Sequence, residues 1–175
     1  MPESAPIFVP LPDLREQLES IGEAEFTRTV LVNRPVLLYA TPEGTGSEET
    51  VSTAEVFKDS KSASGDPSSW YQNTAAILRT RFSQSDEVRV GRHPKCDLLL
   101  VLQGVSQDHA LLRETPQGWT VTDLGSKHGT FVNDERLEAE ESRSLGDGDT
   151  VRFGPYLPLT LTFPAALLRL IDPGA

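Results

Sequence analysis

The sequence predicts an all-β protein, a sandwich of two packed sheets, with a helical N-terminal extension and a short C-terminal helix. Three observations predict it. From Thr74 onward, short segments rich in β-branched and other apolar residues follow one another at fairly regular spacing. Gly, Asp, Asn or Pro bounds each of them, which is turn chemistry. Several alternate apolar and polar residues, as in Trp119-Thr120-Val121-Thr122, which gives one buried and one wet face and makes Trp119 a core residue. No internal repeat is present.

Taken in order, Pro10 to Phe26 reads as a helix, with Pro12 in its first turn and Leu11, Leu14, Leu18 and Ile21 at helical spacing. Gly22 ends or kinks it, and a second short turn runs from Glu23 to Thr29. Pro35 to Ala40 is a short apolar run behind a proline and reads as a strand. Residues 1–40 are thus an extension or a small subdomain. Residues 41–73 are rich in Ser, Gly, Thr and acids and read as a linker or long loop. The sandwich is assigned to 74–175, with strands expected in AAILRTRF, EVRVG, CDLLLVL, HALLRE, GWTVTD, GTFVN, DTVRFG and YLPLTLTF. Pro164 to Ile171 closes the chain as one or two helical turns.

Composition narrows the function classes. The formal charge is −10, which argues against nucleic acid as the main ligand. Residues 1–76 hold 5 Lys and Arg against 12 Asp and Glu, and residues 77–175 hold 11 against 14, so local basic clusters can dominate only in the C-terminal part. The single cysteine, Cys96, excludes an internal disulfide framework and a multi-cysteine zinc site, and reads as a small, partly buried residue. No stretch is long and apolar enough to span a bilayer, and no signal peptide is evident, so the expected location is cytoplasmic.

The residues that carry chemistry lie between the strands. Gly91-Arg92 ends one strand, Ser106-Gln107-Asp108-His109 opens another, and Asp123 to Asn133 runs from one strand into the next. Loops at one end of a sandwich converge on a common surface. Together they offer an arginine fork, a serine hydroxyl, a lysine and glycine-permitted backbone N–H groups, a set of donors suited to a phosphate dianion.

The run GR … SxxH … DLGSxxGTFVN … GDxVxFG, in that order, resembles the forkhead-associated (FHA) domain family, of bacterial type, from about Ala75 to Phe163. The resemblance implies an eleven-stranded β-sandwich whose loops bind phosphothreonine peptides. It implies that Arg92, Ser106 and Lys127 bind the phosphate and that Gly91 supplies the turn that aims Arg92. Gln107 and His128 would contact the peptide, and His109, Gly129, Thr130 and Asn133 would structure the loops. Two positions depart from the family pattern: His128 stands where most members have asparagine, and Asp108 where a basic or neutral residue is usual.

Other readings are blander. His93 and Lys95 form a solvated basic rim. Asp147 and Asp149, interleaved with Gly146 and Gly148, are acids of a tight turn and not metal ligands. No nucleophile, metal or nucleotide motif supports an enzyme, and Gly44-Thr45-Gly46 is too short for a phosphate loop. No cofactor is implied. Thr50 and Thr53, flanked by acids, are candidate phosphorylation sites that resemble the phosphorylated segments of actinobacterial FHA regulators. The expected function is a phosphothreonine-binding signalling adaptor acting with Ser/Thr protein kinases, with a phosphothreonine-containing protein as partner. The alternative is a phospho-independent interaction or scaffold module on the same sandwich.

Overall fold

A computed structural model describes residues 8–39, 74–78, 80, 85–101, 104–155 and 158–172. The described elements are β1 (Phe8–Pro10), α1 (Leu11–Ile21), α2 (Glu23–Thr29), β2 (Val36–Tyr39), β3 (Thr74–Ile77), β4 (Glu87–Gly91), β5 (Leu98–Leu99), β6 (Ala110–Thr115), β7 (Gly118–Asp123), β8 (Thr130–Val132), β9 (Glu135–Arg136), β10 (Ser142–Leu145), β11 (Thr150–Phe153), β12 (Leu159–Thr162) and α3 (Pro164–Ile171). They form a sandwich of a seven-stranded sheet, ordered β1-β3-β2-β12-β11-β8-β9, and a five-stranded sheet, ordered β10-β7-β6-β4-β5. Neighbours are antiparallel except β4 and β5.

Alternation builds the main core. On β7 the side chains of Trp119 and Val121 are buried between the sheets, while Thr120 and Thr122 are half-exposed. Val88 and Val90 of β4, Leu112 of β6 and Val151 and Phe153 of β11 join them. Each fully buried aliphatic side chain of this kind contributes about 1.5–3 kcal/mol.

β2 departs from alternation, and the reason is its position. It lies in the interior of the larger sheet, paired with β12 on one side and β3 on the other. Leu37, opposite Ala76, faces the sandwich core. Val36 and Leu38 face outward with Ala75 and Ile77 into a second core, formed with Leu14 and Leu18 of α1, Phe26 of α2 and Leu167 and Ile171 of α3. A strand buried on both faces reads as a continuous apolar run, which is what Val36-Leu37-Leu38 is. The N-terminal strand is therefore woven into the sandwich, and the helices form a third layer over its outer surface. Arg34, its side chain 17% exposed, adds a tie: it pairs with Asp86 at 3.4 Å and Glu114 at 3.6 Å and lies over the Trp119 ring at 5.8 Å.

Gly22 separates α1 from α2, and Pro12 occupies the first turn of α1. Some segments differ from expectation. Among the described residues, the AAILRTRF strand ends at Ile77, and CDLLLVL contributes only Leu98–Leu99. That short edge strand is held by the β4 ladder and by the Leu100 N–H bond to the Gly91 carbonyl, and Val101 beyond it is 68% exposed. Three further strands, β1, β9 and β10, carry little sequence pattern, because β9 has both residues exposed and β10 buries only Leu145. Their pairing with patterned neighbours organises them.

Register fixes which end of the sandwich carries the loops. β4, β7, β11 and β2 finish, and β6, β8, β12 and β3 begin, at one common end, as the pairs Val90–Ala110, Ala110–Asp123, Phe153–Thr130, Leu159–Tyr39 and Leu38–Ala75 show. Residues 40–73 join β2 to β3 at that same end.

Candidate functional site

Gly91 closes β4 in a position that only glycine fits. A Cβ there would collide with the Gln107 carbonyl oxygen. That close approach lets the following turn zip onto the β5–β6 connection: Arg92 N–H donates to Ser106 O at 2.9 Å and His93 N–H to Gln107 O at 3.1 Å. Cys96, fully buried, adds a bond from Sγ to the same Gln107 carbonyl at 3.3 Å, and burial pushes its thiol up from the ordinary value. Arg92 is thereby anchored through its backbone while its side chain stands exposed.

Ser106 is held from both sides. Its N–H donates to His109 Nδ1 at 3.0 Å, and its Oγ accepts the Lys127 N–H at 3.0 Å. Because that N–H donates to Ser106 Oγ, the hydroxyl keeps its own proton free to donate. Lys127 exposes its ammonium group at the same place. His128 and Gln107 are exposed, and neither side chain bonds to a described residue.

Two buried polar residues order the loops. His109, 0% exposed, bridges them: Nδ1 accepts from Ser106, and Nε2 meets Gly129 O at 3.0 Å. Because Nδ1 is an acceptor, the ring is the neutral Nε2–H tautomer. Burial lowers its pKa in agreement, although the Gly129 carbonyl and Asp123 act the other way. Asp123 accepts four hydrogen bonds: from Ser126 Oγ at 2.5 Å, Thr130 Oγ1 at 2.7 Å, Gly125 N at 2.9 Å and Ser126 N at 3.0 Å. Burial pushes its carboxyl up, but the four donors together outweigh this and hold it below the usual carboxylate range. Sequence reading gave Asp123 no role, although an Asp followed by Gly and Ser at turn spacing is a signal for such a loop.

The structure brings Arg92, Ser106, Gln107, Lys127, His128, His109, Gly129 and Thr130 to one end. Asn133 lies at the other end, where its amide donates to Asp149 at 3.0 Å and its oxygen accepts from Thr150 N at 2.9 Å. It structures loops, but far from the phosphate candidates. Asp149 also accepts from Gly146 N, and Asp147 from Phe163 N. Asp108, the departing acid, pairs with Arg89 at 3.3 Å over the outer surface of the five-stranded sheet. Among the described residues no His, Cys, Asp and Glu cluster could hold a metal ion. Residues 41–73, with Thr50 and Thr53, lie outside the described residues.

Charge is distributed unevenly over the molecule. Arg15, Arg28, Arg34, Arg89, Arg113 and Arg143 are ion-paired. Among the described residues, Arg92, Lys95, Lys127, Arg136, Arg152 and Arg169 have no carboxylate partner; the first four sit at the loop end, Arg152 lies on β11 and Arg169 on α3. In a chain of net charge −10, unneutralised basic groups thus gather at the loop end among the described residues, and those beside Ser106, Arg92 and Lys127, suit an anion with several acceptor oxygens.

A model of the FHA domain matches residues 88–154. The chain is 45% identical over 67 residues to the FHA domain-containing protein PS1 of Arabidopsis thaliana, covering 37% of this chain and 4% of that one. It is 39% identical over 74 residues to the glycogen accumulation regulator GarA of Mycobacterium tuberculosis, covering 42% and 44%. A solved structure of Mycobacterium tuberculosis EmbR in complex with a low affinity phosphopeptide is similar at 30% identity and a TM-score of 0.42, over 46% of this chain and 21% of that one. The chain spans less than half the length of these relatives. No helix among the described residues is long and apolar enough to cross a membrane. The matched segment contains Arg92, Ser106 and Lys127 and the two loops that His109 joins: the chain carries an FHA domain at residues 88–154.

Proposed function

We propose that this chain binds phosphothreonine-containing proteins and acts as a cytoplasmic signalling adaptor downstream of Ser/Thr protein kinases, by binding and not by catalysis. The observation that carries the reading is the unpaired Arg92 guanidinium, anchored through its backbone beside Ser106 and Lys127. Arg92 and the Lys127 ammonium would grip the phosphate, and the Ser106 hydroxyl would donate to one of its oxygens. Gln107 and His128, exposed and free to bond, would meet the peptide backbone. Because His109 and Asp123 hold both loops from beneath, little ordering remains to be done on binding, which favours affinity. Titration with a phosphothreonine peptide library and its unphosphorylated twin tests this. Phosphate-dependent binding lost in Arg92→Ala is expected. Equal binding of both libraries would instead favour a phospho-independent scaffold.

A second reading concerns Thr50 and Thr53. β2 ends and β3 begins at the end of the sandwich that carries Arg92, so a phosphorylated threonine in the segment between them would be tethered to that end, which would raise its effective concentration. Kinase treatment should shift the Arg92 and Ser106 amide resonances without added peptide, and unchanged resonances would refute it.

A further inference from the structure

β11, β8 and β9 are neighbours in the seven-stranded sheet, and their register sets Arg152, Phe131 and Arg136 in one row across them. The flanking residues Thr130, Val132, Val151 and Phe153 are buried, so the row faces outward. Arg152 lies 3.8 Å from the Phe131 ring centroid and donates to Gly154 O at 3.0 Å. Gly154 N–H in turn donates to Gly129 O at 2.8 Å. Arg136 lies against the same backbone: a Cβ at Gly129 would come within 2.7 Å of Arg136 Nε.

Arg136 has no ion pair or hydrogen bond with any described side chain, since its neighbour Glu135 is taken by Arg143 at 2.8 Å. Two guanidinium groups thus flank Phe131 in one row, and neither is paired with a described carboxylate, in a chain with ten more acidic than basic residues. An anion supplied by a ligand would complement this positive row.

We infer that Arg136, backed by Arg152 and Phe131, is a second anion contact beside the phosphate site, and that it takes an acidic side chain of the same bound peptide. The inference rests on the phosphothreonine reading. Gly129 is two residues from Lys127, a separation of at most about 7 Å. An extended peptide advances about 3.3 Å per residue, so the Asp or Glu stands about two residues from the phosphothreonine, or three with the reach of the Arg136 side chain. Arg136 is thus a specificity-determining residue, separate from Arg92.

Phosphothreonine peptides with a single Asp at position −3, −2, +2 or +3, each against its Ala counterpart, test this by calorimetric titration. One Asp position should tighten binding about three- to fivefold, the scale of one exposed charge pair. Arg136→Gln should abolish that gain and leave the affinity for the all-Ala peptide unchanged, while Arg136→Lys should keep part of it. Equal affinity for all Asp and Ala peptides, or a gain that survives Arg136→Gln, overturns this inference and leaves Arg92-dependent binding standing. Absence of any phosphate-dependent binding overturns both.

Discussion

His109 Nε2 lies 3.0 Å from the Gly129 carbonyl oxygen, and through that bond one buried imidazole joins the loop that carries Ser106 to the loop that carries Lys127. The arrangement works only with a neutral ring, since a proton on Nδ1 would face the Ser106 N–H. His109 has a folded-state pKa below the ordinary 6.5, chiefly through burial. The unfolded chain therefore takes up this proton first as pH falls. Its contribution to stability is complete above about pH 6.5 and declines as pH falls from there through the folded-state value. Thermal unfolding followed from pH 8 to 5 should show this decline, and His109→Gln should flatten it while lowering the midpoint throughout.

Asp123 governs a different pH window. Its carboxyl is held below its ordinary 3.8, so its stabilisation is present above that value and is lost only as pH falls further. Asp123→Asn turns one acceptor oxygen into a donor among N–H and O–H donors. A loss of about 1–3 kcal/mol is expected from unsatisfied buried donors. Denaturant unfolding at pH 7 measures it, and amide exchange should rise at Gly125 and Ser126 first.

Gly91→Ala should be costly without removing any polar group. The added methyl meets the backbone carbonyl of Gln107, which cannot rotate away as a side chain would. Separation of the Arg92–Ser106 and His93–Gln107 bonds is expected, with destabilisation of about 1–3 kcal/mol from overpacking. Phosphopeptide affinity should fall even though Arg92, Ser106 and Lys127 are all present. A variant that keeps wild-type stability and binding would show that the zipped turn is not needed to aim Arg92.

The N-terminal segment should be inseparable from the sandwich. A variant beginning at residue 74 loses β2, the interior strand between β3 and β12, and exposes the outward surface formed by Ala75 and Ile77. It should lack a cooperative unfolding transition. In the full chain, Phe26→Ala removes a fully buried ring from the second core and should cost about 3–5 kcal/mol. Circular dichroism and calorimetry distinguish both outcomes from a dispensable extension.

Much of this protein is legible in its residues taken one stretch at a time. Alternation in Trp119–Thr122 marks a half-buried strand, and helical spacing of Leu14 and Leu18 marks α1, because these periodicities belong to local backbone geometry. The order of the loop motifs likewise points to Arg92, Ser106 and Lys127 before any coordinates are known. Tertiary structure decided the rest, because it depends on contacts between residues distant in the chain. It makes Val36–Tyr39 an interior strand, through pairing with residues 74–77 and 159–162. It turns Asp108 onto Arg89 and sends Asn133 to the far end of the sheet. It also leaves Arg136 unpaired against Gly129, since only the register of β8 and β9 brings that guanidinium to the loop that carries Lys127.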